Sequence, residues 1–119
     1  MLQAQDRVHE ETLSPAERIY FYTPTATTAM QMGITQMEWR IANAFAFTLS
    51  LPPVAEAKGK TAVISVTSAT AAVTLTDYGT ASYNDSENWE GDYTLDAAED
   101  RIVLYSTGRE WTVIENQIA

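Results

Sequence analysis

Ala44-Phe45-Ala46-Phe47-Thr48-Leu49-Ser50-Leu51-Pro52-Pro53 is the stretch on which the fold turns. Large apolar side chains at 45, 47, 49 and 51 alternate with small or polar ones at 44, 46, 48 and 50. Successive side chains of a strand point to opposite faces, so this two-residue period lays four large groups on one sheet face. Pro52 and Pro53 then end the strand, because neither donates to a ladder.

Downstream the same grammar repeats. Val54-Ala55-Glu56-Ala57-Lys58 reads as one helical turn stopped at Gly59. Thr61 to Thr67, Ala72 to Thr76 and Arg101 to Ser106 read as strands, rich in β-branched and aromatic residues. Thr107-Gly108-Arg109 is a turn in which Gly108 supplies positive φ, and Trp111 to Glu115 returns as the last strand. Upstream, Ile19-Tyr20-Phe21-Tyr22-Thr23 is a strand closed by Pro24. Thr25 to Gly33 fits no single template. Ile34 to Ile41 is compatible with a strand or one amphipathic helical turn, and strand is preferred. Short strands with turns every 8 to 12 residues favour a sandwich or small barrel. The helices that parallel β-α-β units use are missing from the pattern.

The predicted class is all-β, a small antiparallel β-sandwich or barrel with an N-terminal arm. Residues 1–17 form the arm, polar and opening a helix at Ser14-Pro15-Ala16-Glu17, and residues 18–119 form the sandwich domain. A chain of 119 residues is one such unit, since single cores rarely split below about 200 residues. No window holds the roughly 18 continuous apolar residues that cross a bilayer, and Met1 to Arg7 does not read as a secretory signal, so a soluble protein is expected. Without cysteine, no disulfide or thiolate–metal site is available.

The net charge of −9, from 16 acidic and 7 basic residues, weighs against nucleic acid and anionic membrane as partners. Eight carboxylates lie between Asp77 and Asp100 with no Lys or Arg among them. Asp85-Ser86-Glu87-Asn88-Trp89-Glu90-Gly91-Asp92 has the flavour of a calcium loop, but Trp89 takes the fifth place and Gly91 comes one residue late. Two carboxylates there do not make a glycosidase, which also needs a fixed separation and a raised pKa. Trp89, Tyr83 and Tyr93 are of a type that stacks on sugar rings, although aromatics in strands more often belong to a core or interface. His9, beside Glu10 and Glu11, reads as an exposed histidine, and the scattered glycines form no phosphate loop. No catalytic, cofactor-binding or metal-ligating residue is expected.

Two groups remain as candidates. Ile19, Tyr20, Phe21 and Tyr22 put aromatic side chains on both faces of one strand, so one face must leave the core, and a subunit contact is preferred. Asp85, Glu87, Trp89, Glu90 and Asp92 form the candidate ligand loop, with calcium and glycan both open as ligands.

The run Thr48-Leu49-Ser50-Leu51-Pro52-Pro53-Val54-Ala55-Glu56-Ala57-Lys58-Gly59-Lys60-Thr61 is followed by Val73-Thr74-Leu75-Thr76. Tyr93-Thr94-Leu95 leads through Asp96-Ala97-Ala98-Glu99-Asp100 to Arg101-Ile102-Val103-Leu104-Tyr105-Ser106, and Gly108-Arg109-Glu110-Trp111-Thr112-Val113-Ile114 closes the series. In this order and spacing, residues 48–114 resemble a small β-sandwich module of tailed-bacteriophage virion proteins. The resemblance implies a head decoration (cement) protein, a head fibre or a tail-fibre tip, and no catalytic residue belongs to its pattern. Such modules often carry Asp-Gly in the central turn, where Asn88-Trp89-Glu90-Gly91-Asp92 is longer and more acidic. The expectation is a virion protein on the capsid surface, a homotrimer bound to the major capsid protein, with an adhesive fibre tip as the alternative.

Overall fold

In the computed structural model the described residues are 19–69, 71–80 and 83–118. The predicted arm at 1–17 and His9 lie outside them. The alternation that opened the reading holds from Phe47 onward: Phe47, Leu49 and Leu51 are buried, with Thr48 and Ser50 half-buried between them. Phe45 departs from it at 41% exposed, because residues 44–46 bend before the strand begins.

The elements are β1 (Ile19–Tyr22), β2 (Thr28–Gln31), β3 (Glu38–Asn43), β4 (Phe47–Ser50), β5 (Thr61–Ala69) and β6 (Val73–Thr76). They continue with β7 (Gly79–Thr80), β8 (Tyr83–Asn84), β9 (Tyr93–Leu95), β10 (Arg101–Ser106) and β11 (Trp111–Gln117). No helix occurs among the described residues. The segment after Pro53 is a turn, with Glu56 and Ala57 donating to the Pro53 carbonyl and Gly59 at φ 81°.

The chain lays its strands alternately into two sheets. One has the order β1-β3-β5-β10-β11, the other β2-β4-β6-β9, and β7-β8 is a separate short ladder. Pairing is parallel in β1-β3-β5 and in β2-β4-β6. Here the expectation of antiparallel sheets is corrected: both sheets are mixed. Parallel neighbours need a crossover, usually a helix. In this chain the crossover is a strand of the other sheet, β2 carrying the chain from β1 to β3, and β4 from β3 to β5.

Ile19 pairs with Glu38 and Thr28 with Phe47, one displacement of 19 residues (38 − 19 and 47 − 28) in both sheets. The first six strands are thus a flattened coil. Its next winding is longer, Glu38 pairing with Val63 and Phe47 with Val73, and the Leu51–Lys60 turn holds the additional chain. Three antiparallel strands complete that end: β9 against β6, β10 against β5, and β11 against β10. Among the described residues β9 and β11 are the edge strands at that end, and β1 and β2 are the edge strands at the opposite end.

Inward residues of both sheets meet in one core. Trp39, Ile41, Ile64, Val66, Ile102 and Leu104 come from the larger sheet, and Phe47, Leu49, Val73, Leu75 and Leu95 from the smaller. Two sheets sharing one core are compatible with a β-sandwich. Tyr20 and Tyr22 add an aromatic cluster at the coil's first turn. Tyr20 sits edge-on to Trp39 at 4.4 Å and Tyr22 lies 5.0 Å from Phe47.

Candidate functional site

The acidic loop is built from its hydrogen bonds upward. Asp77 follows β6 and is buried, its Oδ2 accepting from both the backbone N–H and the hydroxyl of Ser86, each at 2.9 Å. The Asp85 N–H donates to the Tyr78 carbonyl at 2.9 Å, which closes the base of the β7-β8 ladder. Asp85 is taken up in holding the loop. Its Oδ2 accepts the Val54 N–H at 2.7 Å, so it staples the loop to the turn after the two prolines. That N–H follows Pro53 and would otherwise be a buried donor without a partner.

The next residues fasten to the β10-β11 turn. The Glu87 N–H donates to the Arg109 carbonyl at 2.7 Å, and its carboxylate pairs with the Arg109 guanidinium at 2.7 Å. Both side chains of that ion pair are well exposed, so it positions the loop and contributes little stability. Asn88 stands at φ 60°, a left-handed conformation that asparagine tolerates, and its amide reaches the Glu110 carboxylate at 3.3 Å. This reversal delivers Trp89, Glu90 and Asp92 to the far side of the loop. Trp89 donates Nε1–H to Asp92 Oδ1 at 3.2 Å and packs edge-to-face on Tyr93 at 5.5 Å.

Together Asp77, Gly79, Asn84, Trp89, Glu90 and Asp92 line a cleft of about 400 Å³. Three of the five loop candidates, Trp89, Glu90 and Asp92, therefore converge, while Asp85 and Glu87 serve the scaffold. The side chain of Tyr83 lies outside the described residues. The sequence missed Asp77 as a site residue: it read as one more carboxylate in an acidic run. The available signal was its place directly after the buried pattern Val73-Thr74-Leu75-Thr76, where the next inward side chain is a carboxylate. Among the described residues no group of three or more His, Cys, Asp or Glu side chains is arranged to hold a metal ion.

The second candidate group divides by strand alternation. Tyr20 and Tyr22 pack on the core, whereas Ile19 and Phe21 take the outer face, Phe21 at 62% exposure. Phe21 opposes Arg40 of β3, and the outer edge of β1 pairs with no other strand among the described residues.

No family model matches this chain, and no curated protein matches it. The described residues form an all-β fold with two mixed sheets, an aromatic strand at one edge and an acidic cleft beside Trp89.

Proposed function

We propose that this protein decorates the head of a tailed bacteriophage. In that reading it is a small β-sandwich with an N-terminal arm, assembled as a homotrimer on the outer surface of the major capsid protein, and it stabilises the shell. The observation that carries the reading is the open end of the coil. There, among the described residues, β1 and β2 are both edges, and the exposed Phe21 stands beside the backbone donors and acceptors of β1. Edge strands invite pairing with another chain, and aromatic anchors are enriched at protein interfaces. Symmetric repetition turns such a modest contact into strong avidity. The acidic balance suits an exterior protein that must not bind packaged DNA.

The test is binding to expanded heads. Deleting residues 1–17, or changing Phe21→Ser, is expected to abolish binding, while Trp89→Ala leaves it intact. A second reading, an adhesive head-fibre or tail-fibre tip for a host glycan or protein, is favoured by the cleft at Trp89. The opposite pattern, with host adhesion lost on Trp89→Ala and the arm dispensable, supports the fibre tip instead.

A further inference from the structure

The run from Ile19 to Met37 includes no Asp, Glu, Lys, Arg or His, although the chain has 16 acidic and 7 basic residues. It builds the open end of the coil: β1, the connection at 23–27, β2 and the segment leading to β3. Charge returns only at the margins. Glu38 and Arg40 stand one strand in, paired with Ile19 and Phe21 and opposite in sign, and Lys60 donates to the Ile34 carbonyl at 3.0 Å. Eight carboxylates lie instead between Asp77 and Asp100, the segment that carries β9 and lines the cleft. The exposed side chains of the open end are Phe21 and the run from Thr25 to Ala29. Short side chains of that kind lose less rotamer freedom when covered than Lys, Arg or Glu.

The electrostatics select the occupant. A basic partner is drawn to the carboxylates around the cleft, and an acidic one gains nothing at either end. Copies of a chain of net charge −9 repel one another, and the repulsion is least where uncharged ends meet and the carboxylates point apart. We propose that the open end is where copies of this chain meet, β1 and residues 25–29 of one subunit against the same end of its neighbours. The inference rests on the homotrimer of the shell reading and names its contact. The open ends face the symmetry axis, and Phe21 is the anchor that becomes buried there.

Sedimentation equilibrium of the purified full chain, without heads, tests this. The wild-type chain is expected to run as three copies. Phe21→Ser, and Ala26→Glu in an exposed bend, should each weaken self-association about tenfold or more. Ile114→Ser removes a similarly exposed apolar side chain from β11 and should leave the trimer intact. With no ion pair at the contact, added salt should hold the trimer or tighten it. The inference is overturned if either Phe21→Ser or Ala26→Glu sediments as wild type, or if Ile114→Ser dissociates as readily, because the contact then lies elsewhere. It is also overturned if salt dissolves the trimer, which makes the contact ionic. A wild-type monomer, or any fixed number other than three, removes the homotrimer and the inference with it. Head binding is scored separately: a trimer of this kind that ignores expanded heads keeps the contact while the shell reading falls.

Discussion

Asp100 shows how much one buried carboxylate does in the turn between β9 and β10. It is 1% exposed, and its Oδ2 accepts the N–H groups of Asp96 and Ala97 at 3.1 and 3.0 Å. Glu99 beside it is held at φ 72°. Asp100→Ala strips the acceptor from both donors and should cost roughly 2 kcal/mol or more, measured by urea unfolding. Glu87→Ala breaks only an exposed ion pair and should change stability by less than about 0.5 kcal/mol in the same experiment. The two glycine turns make a matched pair. An added Cβ at Gly59 meets nothing within 4 Å, so Gly59→Ala isolates the backbone cost of φ 81°, about 1 kcal/mol. At Gly108, φ 96°, the Cβ comes 2.9 Å from Lys58 Cδ, the middle of a flexible exposed side chain. Lys58 Cγ and Cβ follow at 3.0 and 3.4 Å, so the root of that side chain must also give, and Gly108→Ala should cost more than Gly59→Ala in the same urea experiment.

At the scale of the element, β1 and β11 manage their edges differently. In β11 the register shifts so that Val103 opposes Glu115 and Leu104 opposes Val113, leaving Ile114 between them as an unpaired residue, 60% exposed. Such a bulge twists an edge away from further pairing. No register shift interrupts β1. Its inner side chains pack on the core, while on the outer face Ile19 is half-buried and Phe21 exposed. Tyr20→Ala removes a contact on Trp39 and should cost about 2 kcal/mol in thermal or urea unfolding. Phe21→Ser should leave the monomer's stability within about 0.5 kcal/mol. If Phe21→Ser instead unfolds the protein, its role is in packing and the edge loses its claim as an interface. In β4, Leu49→Ala opens a cavity in the centre of the core and should cost about 2–5 kcal/mol.

For the whole molecule, the coil gives the two ends different characters. One end is built from the antiparallel strands β9, β10 and β11 and carries the acidic cleft. The other presents the edges of β1 and β2. The winding of 19 residues left no readable repeat in the sequence, and the reason lies in which positions it constrains. Along the first displacement Tyr20 falls on Trp39, Tyr22 on Ile41 and Met30 on Leu49. Those stacks ask for inward side chains that fill space together, not for identical ones. The second winding then breaks the period by holding the Leu51–Lys60 turn.

Strand positions and their inward faces were legible wherever the signal was local. The Phe47-Leu49-Leu51 alternation, the stop at Pro52-Pro53, the reversal at Gly108 and the strands at 61, 73, 101 and 111 all follow from side-chain period and backbone sterics. The short strands β2 and β9 were harder, since three or four residues hold too few alternations to stand out. Strand direction was decided only in three dimensions. An inward-outward pattern is the same whether its neighbour runs parallel or antiparallel, and here the choice depends on where the chain goes between strands. The site divides in the same way. Trp89, Glu90 and Asp92 are conspicuous in sequence, but only the fold brings Asp77 beneath them, sends Asp85 to Val54 and Glu87 to Arg109, and so separates a cleft from its scaffold.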